Sequence, residues 1–103
     1  MSISDNKRLN DKIKECRQLL NPAKVILCLE ELLNTSNDGM VAYTMGHEYE
    51  KLGDIKSAIK YYEKAEALFK EASFKNMARS AINNLQIEAI LAQRKREKLK
   101  SKR

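Results

Sequence analysis

Apolar side chains return every three or four positions along most of this chain, which is the period of an amphipathic helix and not the alternation of a strand. Five such stripes can be followed. The first, over about 4–20, aligns Leu9, Ile13, Cys16 and Leu20. Asn21 and Pro22 then offer an N-cap and a favourable first helical residue. They open a second helix over about 22–34, with Val25, Ile26, Leu29, Leu32 and Leu33 inward. Leu27 and Cys28 spread apolar character around this helix, so it is expected to be the most buried element. Thr35 to Gly39, TSNDG, has the composition of a turn. Helices over about 39–52 and 54–70 follow, parted by Gly53 and Asp54, a helix stop and an N-cap. After a weaker stretch around 71–74, a fifth helix over about 75–93 carries Ala78, Ala81, Ile82, Leu85, Ala89 and Ala92, and then gives way to a charged tail.

The third and fourth helices carry a more specific pattern. Gly46 and Tyr49 lie one turn apart on one face, and Ala58, Tyr62 and Ala65 share a face of the next helix. Small residues allow a neighbouring helix to approach, and large aromatic ones fill the holes between helices. Two helices joined by Gly53-Asp54 and packed small against large make an αα-hairpin. With Met45 before Gly46, this stretch, about residues 39–72, resembles one tetratricopeptide (TPR) repeat. Two departures stand out: Lys70 sits where the family often has proline, and Ala42 where it often has a bulky aromatic. Part of the pattern, EYEKLGDIKSAIKYYEKAEALF, is also similar to the three-helix microtubule-interacting and trafficking (MIT) domains, although Gly46 and the two N-terminal helices fit TPR better.

The chain also resembles itself. A shift of 33 positions lays Asn21 on Asp54, Val25 on Ala58, Leu29 on Tyr62 and Ile13 on Gly46. A shift of 36 lays Ala42 on Ala78, Gly46 on Ile82 and Tyr49 on Leu85. Spacings near 34 residues are the TPR period. The expected fold is all-α: about two and a half TPR-like antiparallel hairpins, five helices in a right-handed superhelix, in one domain over 1–93 followed by a basic tail over 94–103.

Charge sharpens that division. The net charge is +6, from 20 basic and 14 acidic residues. Residues 94–103, RKREKLKSKR, hold seven of the basic residues (Arg94, Lys95, Arg96, Lys98, Lys100, Lys102 and Arg103) and one acid. The rest of the chain therefore has thirteen of each sign and is neutral. The tail is a candidate polyanion-binding element for RNA, DNA, the ribosome or anionic lipid, or else a solvated helix end. It has no interleaved aromatic for base stacking.

Cys16 and Cys28 have no partner set for a zinc site and fall on apolar faces, so they are expected as buried free thiols. The polar start MSISDNKRLN and the lack of an apolar run near 18–20 residues lead to an expected cytoplasmic location without a transmembrane segment. A catalytic role has little to stand on. His47 is the sole histidine, Glu48 and Glu50 are expected on other faces, and the three glycines form no phosphate loop. No enzyme activity, metal or cofactor is expected.

The TPR resemblance implies a concave groove lined by the first helix of each repeat, binding a peptide segment of a partner as an adaptor or scaffold. By position, the groove residues are Met40, Tyr43, Thr44, His47, Glu50 and Lys51 in the central repeat. Lys7, Asn10, Lys14 and Arg17 precede them, and Asn76, Arg79, Asn83 and Gln86 follow. A basic, amide-rich surface of this kind points to an acidic or C-terminal peptide; the same faces are equally compatible with plain solvation. A short array with open end faces also makes a homo-oligomer an expectation.

Overall fold

Three short polar side chains set where the helices begin. In the computed structural model, which describes residues 3–101, Asn21 accepts a hydrogen bond from the Ala23 amide (2.9 Å), Asp38 from Met40 (2.8 Å) and Asp54 from Ser57 (3.2 Å). Each satisfies one of the amides that a helix start leaves without an intrahelical partner. The resulting elements are α1 (Ile3–Arg17), α2 (Pro22–Ser36), α3 (Gly39–Lys51), α4 (Ile55–Leu68) and α5 (Ala72–Ser101). No strand occurs among the described residues. Asn37 ends α2 in the left-handed region (φ 50°), and Gly53 makes the α3–α4 turn at φ 79°, a conformation glycine adopts without strain.

Each helix packs on the next in the chain. The Cα atoms span 61 × 33 × 16 Å, and the short dimension leaves room for two layers of helices. Ile13, Cys16, Val25, Leu29, Leu33, Val41, Ala42, Met45, Ala65 and Phe69 form one buried cluster. Ala58, Tyr62, Ile82 and Leu85 form a second toward α5.

Several expectations need correction. The most buried helix is α3, because it has α2 on one side and α4 on the other; Gly39, Val41, Ala42, Thr44, Met45, Gly46 and Glu48 are all buried. By contrast α2 turns Leu27 to solvent at 60% exposure. Leu20 lies beyond the end of α1 and is fully exposed, so it has no part in that helix's stripe. Tyr61, whose place beside the inward Tyr62 makes it the tyrosine expected at the surface, is half-buried and stacks on Tyr49 with ring centroids 5.3 Å apart. Cys16 and Cys28 are not free thiols: they form a disulfide joining α1 to α2, with Cα atoms 5.5 Å apart.

The fifth helix is longer than its apolar stripe. It starts at Ala72 and continues through the basic run to Ser101 instead of dissolving near residue 93. Lys, Arg, Glu and Leu are all good helix formers, the run has neither Gly nor Pro, and cations suit a helix C-terminus. Lys102 and Arg103 lie outside the described residues. Among the described residues, no helix is long and apolar enough to cross a membrane.

Candidate functional site

The core positions of α3 and α5 decide which side chains are left to meet between these helices. In α3, Ala42 and Gly46 are buried and Tyr49 packs on the core; in α5, Ala78, Ile82 and Leu85 are buried. The residue following each core position of α3 is Tyr43, His47 or Glu50, spaced four and three apart on one flank. The residue preceding each core position of α5 is Met77, Ala81 or Asn84. These two flanks, with Ser80, Leu85 and Glu88, enclose a cleft of about 490 Å³.

Tyr62 of α4 contributes to the cleft's inner wall. Its ring lies against Gly46 so closely that a Cβ there would sit 2.6 Å from two ring carbons. Its hydroxyl donates to Glu50 Oε1 at 2.7 Å. Tyr43 packs on His47 edge-on (4.8 Å between centroids) and on Tyr62 (5.2 Å), and His47 meets Tyr62 edge-on at 5.5 Å. Three rings thus support one another.

The electrostatics follow from this packing. Burial pushes the His47 imidazole below its ordinary pKa, despite the opposing pull of Glu50. Burial and then the neighbouring Glu50 raise the Tyr43 hydroxyl. Tyr62 is raised far more, by burial first and then by the bond it donates to Glu50. Near neutral pH the rings are uncharged, and the lining's formal charges are those of Glu50 and Glu88.

Of the residues expected to form a groove, Tyr43, His47 and Glu50 line this cleft. Glu50 therefore shares a face with His47 rather than diverging from it. Asn76, Arg79 and Asn83 do not line it. Arg79 instead reaches α4, where its Nε donates to Glu66 Oε2 at 3.0 Å. Thr44 is turned inward, its hydroxyl donating to the Met40 carbonyl at 2.8 Å. Arg17 and Lys51 both approach Glu48, at 3.6 and 3.3 Å. Asn10 and Lys14 are exposed on α1, and Lys7 falls in the same helix.

Sequence reasoning missed Tyr62, Ser80, Ala81, Asn84 and Glu88. It carried the α3 flank onto the same flank of α5, whereas side-by-side helices face each other with opposite flanks. The signal was available: Met77, Ala81 and Asn84 each sit one position before a core residue of α5. The α1–α3 seam obeys the same rule, with Arg17 following Cys16 and Glu48 preceding Tyr49, but there the ion pair bridges the seam.

The comparisons with known proteins fall on this framework. A family model described as tetratricopeptide repeat matches residues 41–71. Residues 41–71 form a TPR-like repeat. No curated protein and no solved structure matches the chain. Within the repeat, Gly46 receives Tyr62, Gly53 makes the turn, and Ala58 and Ala65 are fully buried. The repeat's first helix supplies the α3 flank of the cleft, and its second supplies Tyr62.

Proposed function

We propose that the chain is a non-catalytic protein-interaction module that receives a peptide segment of a partner in the cleft between α3 and α5. A TPR-like repeat points to protein–protein interaction in general, and the cleft supports that reading as a concave surface of peptide size. The observation that carries the reading is the preformed wall of Tyr43 and His47, two half-buried rings on the cleft side that are fixed by packing on each other and on the fully buried Tyr62 behind them. Rings held in place in advance lose little conformational freedom when a ligand arrives, so more of the contact energy is left for affinity. The flanking helices extend the same layering, as expected of a short right-handed stack acting as an adaptor or scaffold. A displayed-peptide library panned against the chain tests the reading. Peptides enriched on the parent should lose binding to an Asn84→Trp variant, whose indole fills the cleft. Enriched peptides that bind both proteins alike, or no enrichment at all, would refute it.

A second reading, association with nucleic acid or the ribosome, draws on a different observation. Arg94, Lys95, Arg96 and Lys98 ride on a continuing helix, which presents their charge as a rigid cationic rod rather than a loose tail.

A further inference from the structure

We infer that the α3–α5 cleft is selective for a cationic side chain of its partner peptide, an arginine guanidinium above all. The inference rests on the interaction reading above and specifies the chemistry of its ligand. It reverses the acidic partner expected from the sequence.

The chain's own cations near the cleft are engaged elsewhere. Arg17 and Lys51 are held at Glu48, and Arg79 is held at Glu66, where Lys75 also donates to the main-chain carbonyl at 2.9 Å. The cleft lining includes no Lys or Arg. Its charged members are Glu50, beside the tyrosine pair, and Glu88, at the α5 wall. His47 adds no opposing charge near neutral pH, since burial holds its imidazole below the ordinary value. Along α5 the first cation after Glu88 is Arg94, six residues or roughly 9 Å further on at about 1.5 Å per residue. That is about one Debye length in physiological salt, so the basic end does little to cancel the cleft's charge.

Shape agrees with charge. Ala81 keeps the middle of the α5 wall low, while the half-buried Tyr43, backed by the buried Tyr62, offers aromatic surface opposite. A cation near an aromatic face is attracted by the ring quadrupole, and arginine is the commoner partner because its planar group stacks as well. The guanidinium's donors then find acceptors in the Glu50 and Glu88 carboxylates, the Asn84 amide oxygen and the Ser80 hydroxyl. A carboxylate ligand would meet two like charges and no donor of full positive charge.

The test is a solution NMR titration of the full chain with four nine-residue Gly/Ser peptides that differ at the central residue: arginine, lysine, citrulline or glutamate. The arginine peptide should give saturable shifts at the amides of Tyr43, His47, Ala81 and Asn84, binding at least tenfold more tightly than its neutral citrulline isostere. Lysine should fall between them, and glutamate should leave the cleft unmoved. The Glu50→Gln/Glu88→Gln double variant should lose the arginine preference, whereas Glu63→Gln on the exposed face of α4 should keep it. Glu88→Gln alone, on a solvent-exposed position, should weaken arginine binding without touching the Tyr62 contact. Cleft shifts from citrulline or glutamate as strong as those from arginine would overturn the cation assignment and leave the interaction reading standing. Shifts confined to surfaces outside the cleft for all four peptides would overturn both.

Discussion

Gly46 and Tyr62 form the contact on which the repeat turns. The ring is fully buried, lies against the α3 backbone and is tied at its far end to Glu50, so it has no direction in which to retreat. A Gly46→Ala change gains about 1 kcal/mol of helix propensity. It also forces a Cβ to within 2.6 Å of a ring that cannot swing away, and overpacking of this kind costs about 1–3 kcal/mol. The net expectation is a loss of roughly 1 kcal/mol, read as a lower urea midpoint at an unchanged slope; a midpoint equal to the parent's would show that the ring can move. The Tyr62 hydroxyl makes a second prediction. Its pKa is raised on folding, so its contribution is complete below the unfolded value of about 10 and is lost as pH rises beyond it. Tyr62→Phe should therefore flatten the alkaline fall in stability measured by urea titrations between about pH 9 and 11. It should not abolish that fall, because Tyr43, Tyr49 and Tyr61 are raised by burial as well.

At the scale of elements, legibility in the sequence tracked how local the cause was. The α3–α4 hairpin could be read because every device in it has its own residue: Gly46 for the close approach, Gly53 for the positive φ and Asp54 for the cap. Gly39 was read as part of a turn, yet it is also a packing seat, with Phe69 2.7 Å from where its Cβ would be. That contact joins residues 30 apart, and no local pattern announces it. The Cys16–Cys28 bond was illegible for the same reason, since it depends on which faces of α1 and α2 meet. It matters because, among its described side chains, α1 brings few to the core, Ile13 and Cys16, together with the half-buried Leu9 and the Arg17–Glu48 pair. Closing a loop of this length removes unfolded-state freedom worth roughly 2–3 kcal/mol. Reduction should accordingly lower stability by about that amount, and hydrogen exchange should show α1 losing protection well before α3. Uniform loss across all five helices would mean that α1 is bound into the core more firmly than its buried residues imply.

For the whole molecule, the decisive asymmetry runs along α5. Its first half is packed by Ala78, Ile82 and Leu85 and completes the cleft, while Ile87, Ile90 and Leu91 are already more than half exposed. Beyond them residues 94–103 carry six units of net positive charge, while the rest of the chain sums to zero. Fold and charge are therefore separable, and removing residues 94–103 is the experiment that separates them. Little tertiary contact is lost, because side chains from Ile87 to Lys98 are exposed, so the thermal midpoint should stay within about 2 °C of the parent's. Arginine-peptide binding in the cleft should persist, since Glu50, Glu88 and the three rings all precede the cut. Binding to duplex DNA should behave in the opposite way. In the full chain it should weaken steeply with salt, with a log–log slope no steeper than about −6.3, the limit if all seven tail cations neutralise a phosphate at about 0.9 each. In the truncated chain, whose remaining charges balance, it should vanish at any salt where the parent binds. A truncated protein that kept its DNA affinity would place the polyanion surface on the neutral body, among Arg17, Lys51 and their neighbours. A truncated protein that melted far below the parent would show instead that the cationic helix end is held by the fold and is no free extension of it.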